Sequence, residues 1–322
     1  MTDLAIRAAT PADAADVCRL LNAVDMIEIG RAETDLHTVE ADLSHPDARL
    51  PDNSWLAFRD GELVGYGLMW DDSGAERIDM DQYVLPGQQE AAERLTGLME
   101  EQAVRRAAAN GADRAVVHLH LNTRPTLDTA LLTGRGWTTV RRYHVLTRPL
   151  SPAADPLPAP PDGVTLRDCR DEADRRLAHA LVQESFAGHF DHQPRTYQQW
   201  LDDLGPGFDW SLVWIAALAG AGDAAVLVSR NDREAHGWIN NIGVRERYRG
   251  RGIAGHLLRH AFGVYAELGR DAIGLGVDTG NETGALRLYE AHGMAVHFAV
   301  DTWEVALPVA VPSRSSRSSR SS

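Results

Sequence analysis

Cysteine is nearly missing from this chain: Cys18 and Cys169 are its only two. They form neither a metal-ligand spacing nor a disulfide framework, and such sparse use fits a reducing compartment. No apolar run approaches the ~18 residues needed to span a bilayer. The N-terminus, MTDLAIRAATPADAADV, lacks the basic-then-apolar pattern of a secretion signal. Positive charge is also short, because a formal net charge of −14 leaves no general basic face for nucleic acid or an anionic membrane. These absences predict a cytoplasmic protein with no nucleic-acid or membrane partner and no metal. A locally basic pocket remains compatible with them.

At 322 residues and 44% hydrophobic content, the chain is too long for one ordinary core and suits two domains of about 150 residues. Residues 150–162, LSPAADPLPAPPD, contain five prolines and no hydrophobic periodicity, which predicts a semi-rigid connector. The expected division is therefore a first module over 1–149 and a second over 163–309. Residues 310–322, ending in PSRSSRSSRSS, have nothing to bury and are expected to be disordered.

The two halves also resemble each other. LAIR at Leu4–Arg7 answers VTLR at Val164–Arg167, each opening its half. Trp55, Asn122 and Gly134 answer Trp214, Asn281 and Gly293 at one common offset of 159 residues, which points to a duplicated module. Each module reads as a short strand, one or two helices, a hairpin, a third strand and a long amphipathic helix. A further strand, a short helix and a final pair of strands complete it. In the second copy Leu257, Leu258, Ala261, Phe262, Tyr265 and Leu268 recur at helical spacing. Strand–helix–strand crossovers after an antiparallel meander predict an α/β fold, each module a mixed, mostly antiparallel twisted sheet flanked by helices.

One stretch concentrates chemistry. The strand HGWINNIGV runs into RERYRGRGIAGHLLRHA. Gly250 and Gly252 permit a tight turn at which an anion can approach bare main chain. A helix starting near Ile253 adds its unpaired amides and the positive end of its dipole. Arg245, Arg247, Arg249 and Arg251 raise the local potential, and their guanidinium groups suit phosphate oxygens. The stretch reads as a pyrophosphate site.

Arg249-Gly250-Arg251-Gly252-Ile253-Ala254 resembles the Arg/Gln-x-x-Gly-x-Gly/Ala signature of the GNAT superfamily of acyl-CoA-dependent N-acyltransferases. The segment VDTGNETGALRLYEAHGM, with Asn281, Ala285, Tyr289 and Gly293, resembles that family's second landmark. Within the superfamily, the paired modules and the segment SFAGHFDHQPRTYQQW look most like tandem proteins of the mycothiol-synthase type. The resemblance implies two tandem GNAT-like modules and acetyl-CoA as cosubstrate. It implies that Ile242, Gly243 and Val244 pair with the amides of pantetheine, and that amides from Arg249 to Ala254, through Gly250, Arg251, Gly252 and Ile253, hold the pyrophosphate. Asn281 would bind the pantetheine arm or an ordered water, and Tyr289 would protonate the departing thiolate.

The strand HGWINNIGV carries no carboxylate, where many family members place a glutamate, so the base is left open among several groups. Asn240 or Asn241 could orient a relaying water; Glu234 and His236 stand at the strand's beginning; His189, Asp191 and His192 occupy the segment expected to face the acceptor. Of these, Asp191, His192 and Asn240 are the expected substrate contacts. The acceptor is expected to be a small-molecule amine, either a cation or a natural-product intermediate, and the protein a monomer or homodimer. The first module serves as a control. Its matching turn, PGQQEAAERL, has one glycine, no arginine before Arg94, and Glu90 and Glu93 at the helix start, while Ala130 replaces the tyrosine. That copy reads as degenerate. The alternatives are a non-catalytic acyl-CoA sensor and a transferase for another acyl group or acceptor.

Overall fold

The structure is a computed structural model in which residues 3–205, 207–232, 236–280 and 284–309 are described. Asn281, Glu234 and the Ser/Arg tail 310–322 lie outside the described residues. The chain runs β1 (Leu4–Arg7), α1 (Ala14–Glu28), α2 (Leu36–Ser44), α3 (Leu50–Asn53), β2 (Ser54–Arg59), β3 (Glu62–Trp70), β4 (Arg77–Val84), α4 (Gln89–Ala109), β5 (Arg114–Asn122), α5 (Thr129–Gly134) and β6 (Thr138–Pro149). The order repeats as β7 (Val164–Asp168), α6 (Glu172–Phe186), α7 (Tyr197–Leu204), β8 (Val213–Leu218), β9 (Gly222–Arg230) and β10 (His236–Val244). It finishes with α8 (Ile253–Glu267), β11 (Ala272–Asp278), α9 (Ala285–Ala291) and β12 (Ala295–Pro308).

The chain forms two compact units, of which the first is discontinuous. One joins Met1–Arg141 to Val300–Ser322, and the other is Arg142–Ala299. In the first, β1 to β5 lie side by side in chain order, and Val300–Pro308 of β12 pairs antiparallel with β5. In the second, β7 to β11 follow the same order, and Tyr143–Pro149 of β6 pairs antiparallel with β11. Each sheet has one parallel pair, β4 with β5 or β10 with β11, next to antiparallel neighbours. This is the expected mixed, mostly antiparallel architecture.

Two expectations need correction. The final pair of strands in each module is a single long strand, and its far half completes the unit of the other copy. The 150–162 segment has no helix or strand, yet it is anchored within the second unit. Asp155 is buried and ion-paired to Arg148 at 2.6 Å, and Leu157 lies against Gly263 of α8. The proline run stops short of spacing two independent bodies because these side chains tie it down.

Amphipathicity builds the layers. Along β4, Ile78, Met80, Gln82 and Val84 are buried against α4, which offers Leu95, Met99 and Ala103, while Arg77, Asp79, Asp81 and Tyr83 take the opposite face. On α8 the stripe Leu257, Leu258, Ala261, Phe262 and Tyr265 is buried; Leu268, expected to extend it, caps the helix and is 49% exposed. The Tyr265 ring packs against Gly237 at the start of β10, and its hydroxyl donates to the Arg230 carbonyl at 2.7 Å. A methyl group on Gly237 would lie 2.2 Å from a Tyr265 ring carbon. Gly237→Ala is expected to cost about 1–3 kcal/mol by overpacking. It should lower the thermal unfolding midpoint by several degrees, and an unchanged midpoint would disprove this packing account.

Candidate active site

The site begins where two strands separate. β10 pairs with β11 only from His236 to Ile239, then continues to Val244 with no β11 residue opposite. On its other side it stays paired with β9 as far as Val244 opposite Ala225. Its register shifts between Ile239 and Asn241, so Asn240 sits in a bulge that redirects the strand. Ile242, Gly243 and Val244 therefore present a main-chain edge that β11 does not pair, although the Val244 carbonyl accepts from Arg249 Nε at 3.1 Å. A cavity of about 650 Å³ opens along it.

The strand then meets the turn. Gly250 and Gly252 both have φ of +75°, a left-handed backbone that a side chain would strain. Gly252 is the N-cap of α8, so the first amides of that 15-residue helix face the same cavity as Arg249, Gly250, Arg251, Ile253 and Ala254. This arrangement is ready for an anion. The arginine contribution is narrower than expected. Arg245 points away, donating to Glu184 at 2.8 Å and to the Asp223 carbonyl at 2.7 Å. Arg247 lies over the Tyr248 ring and does not line the cavity. Only Arg249 and Arg251 of that group line it. The chain contains no lysine, so every basic side chain it could offer phosphate, other than histidine, is a guanidinium.

Across the cavity stands Tyr289 on α9, only 6% exposed. Burial alone pushes its phenol up to about 12, so it keeps its proton through the physiological range. The loop after α6 supplies His189, Phe190, Asp191, His192 and Gln193 to the lining. Asp191 holds φ of +49°, uncommon for a residue with a side chain, and its carboxylate accepts from Gln193 Nε2 at 3.1 Å. Asn240 lines the cavity too, whereas Asn241 and His236 do not.

Other lining residues were not expected from the sequence. Tyr143 arrives on β6, opposite Asp278 at the end of β11, from a part of the chain assigned to the first module. Ser185 of α6 approaches Gly243 so closely that a Cβ there would lie 2.6 Å from the serine side chain. Its hydroxyl is buried without a partner among the described residues, and the residue lines the cavity. A small residue on α6 opposite a strand glycine is the only sequence signal for it. Cys169 lies outside the cavity, and burial pushes its thiol up to about 12, so no thiolate nucleophile is available there.

The first unit repeats the frame without these devices. β3 and β4 pair in unbroken register from Gly65–Val84 to Trp70–Asp79, with no bulge. At the start of α4, Glu90 pairs with Arg59 at 2.9 Å, placing a carboxylate where the second unit leaves bare amides. Asn122 donates to Glu28 at 2.6 Å.

Residues 175–294 match the family model described as the acetyltransferase (GNAT) family. Among solved structures, the chain is similar to a GCN5-related N-acetyltransferase from Sphaerobacter thermophilus. The two are 26% identical with a TM-score of 0.82, over 96% of this chain and 97% of that one. A tandem GNAT protein from the clavulanic acid biosynthesis pathway shares the fold at 15% identity and a TM-score of 0.69, covering 96% of this chain and 100% of that one. Saccharomyces cerevisiae N-myristoyltransferase shares it at 12% identity and a TM-score of 0.60, covering 96% and 79%. No curated protein matches the sequence significantly. The cavity-forming half of this chain carries a domain of the GNAT acetyltransferase family, and the protein is an acyltransferase.

Proposed function

We propose that the second unit is an acetyl-CoA-dependent N-acetyltransferase acting on a small-molecule amine. The observation that carries this reading is convergence: the free edge of β10, the glycine turn and Tyr289 all line one cavity. The edge of Ile242, Gly243 and Val244 would pair with the pantetheine amides as an added strand does. Main chain from Arg249 to Ala254, with the start of α8, would hold the pyrophosphate. Asn281 would complete the pantetheine contacts.

The chemistry is direct transfer. The neutral amine nitrogen bonds to the thioester carbonyl carbon, the C–S bond breaks, and the thiolate takes the Tyr289 proton. The proton lost by the amine passes to water held by Asn240 or to the Asp191–His192 segment. The high position of the Tyr289 phenol supports this, since an acid that stays protonated is available at every working pH. The buried Cys169 supports transfer without an acyl-enzyme. The first unit is proposed to be a copy without acyl-CoA chemistry, since it lacks the bulge, the bare turn and the phenol.

Three measurements test the reading. Titration calorimetry with acetyl-CoA should show at least about tenfold weaker binding for Gly252→Glu, which places a carboxylate beside the phosphates. Equal affinity would sink the pyrophosphate assignment. Tyr289→Phe should lower kcat by about 10²-fold from pH 7 to 9 while the KM for acetyl-CoA changes little. Full activity in that variant would remove the acid role. A thiol-release screen over polyamines, aminoglycosides and amine precursors of low-molecular-weight thiols should identify an acceptor class. Tight coenzyme binding with silence throughout would instead indicate an acyl-CoA sensor.

A further inference from the structure

We propose that the acceptor of the second unit is an arylalkylamine, a single ammonium group carried on an aromatic body. The inference rests on the acyltransfer reading above and narrows its acceptor. With the coenzyme along the free edge of β10 and at the glycine turn, the acceptor meets the rest of the cavity lining. That remainder forms two walls: the end of α6 with the loop after it, and β6 with the end of β11.

Both walls carry rings. Phe186 and His189 meet edge-on, with centroids 4.4 Å apart. A Cβ on Gly243 would lie 3.7 Å from the Phe186 ring, so this ring stands beside the open edge of β10. Phe190 follows on the same loop, and Tyr143 answers from β6. Aromatic rings pack favourably against a further ring, and their faces attract a cation. A sugar or a polyamine would leave this surface without a matching partner.

Charge supplies the second, independent constraint. The acidic residues flanking the loop are engaged away from the cavity. Arg245 donates to Glu184 at 2.8 Å, and Arg195 pairs with Asp203 at 3.4 Å. Asp202 accepts from Gln198 at 2.8 Å, and Asp209 from the Ser211 amide at 3.0 Å. None of these four lines the cavity. Among the described lining residues the carboxylates are Asp191 and Asp278, one on each wall. Each already accepts a hydrogen bond from the chain, Asp191 from Gln193 Nε2 at 3.1 Å and Asp278 from the Gly280 amide at 2.8 Å. Two such groups suit one ammonium ion, whereas the several charges of a polyamine or an aminoglycoside would be left unpaired, at a cost. Each carboxylate also has a ring beside it. Asp191 follows Phe190, and Asp278 stands opposite Tyr143 across the β6–β11 ladder. Ammonium and arene are thus met together on both sides.

The test follows thiol release from acetyl-CoA by the full chain, with 2-phenylethylamine, propylamine and spermidine as acceptors. The first should show kcat/KM at least about tenfold above either of the others. Phe190→Ala should erase most of the preference over propylamine, a change in selectivity that a merely structural role would not produce. Asp191→Asn should raise the KM for 2-phenylethylamine about fivefold. Asparagine accepts the same left-handed backbone, so the loop keeps its course. Acetyl-CoA affinity by calorimetry and the thermal midpoint report an intact fold; if Phe190→Ala fails to fold, Asp191→Asn and the wild-type preference carry the test. Propylamine or spermidine turned over as well as 2-phenylethylamine would overturn the proposal and leave the acyltransfer reading standing. So would a preference indifferent to both substitutions. Tight coenzyme binding with no amine turned over would overturn both.

Discussion

The cavity of the second unit depends on β10 leaving β11 after Ile239. A strand inside a sheet spends both rows of main-chain groups on its neighbours. Past the Asn240 bulge, this one spends only the β9 row and leaves the other for a ligand. Separation also makes the cavity, because the side chains that would have filled the seam are spread apart. Everything else acts on what lies along that edge. The glycine turn and the start of α8 lie at the cavity with Tyr289, and the loop after α6 adds to its lining.

The comparison between the units shows how little must change to lose this. The first unit keeps the meander, the parallel pair and the long helix. Its β3–β4 ladder runs without a bulge, and Glu90 brings a carboxylate to the helix start. At helix termini a carboxylate and a bound anion compete for the same field. A frame that leaves bare amides at the helix start in one copy thus has a carboxylate there in the other.

Much of the site was legible because local rules govern it. Gly250, Gly252 and a helix beginning at Ile253 follow from backbone conformations that neighbouring residues determine, and the structure has them where the sequence indicates. The failures are all non-local. Arg245 looked like a phosphate ligand, but Glu184, on α6, claims it. Tyr143 reaches the cavity only through a strand whose partner lies more than a hundred residues away. Ser185 matters because α6 comes down onto Gly243, which no spacing within α6 announces. The proline-rich 150–162 segment reads as a spacer by composition, yet burial of Asp155 and contact of Leu157 with α8 make it part of a unit.

The crossing of the last strands has an evolutionary side. Val300–Pro308 completes the sheet of the first unit, and Tyr143–Pro149 completes that of the second. A gene shortened to either half would encode a sheet missing its outermost strand, with another strand left over. Natural selection therefore cannot discard the copy that lacks the glycine turn without damaging the copy that has it. Once such an exchange is established, the duplication is locked in. Persistence of the first unit then no longer depends on any chemistry of its own.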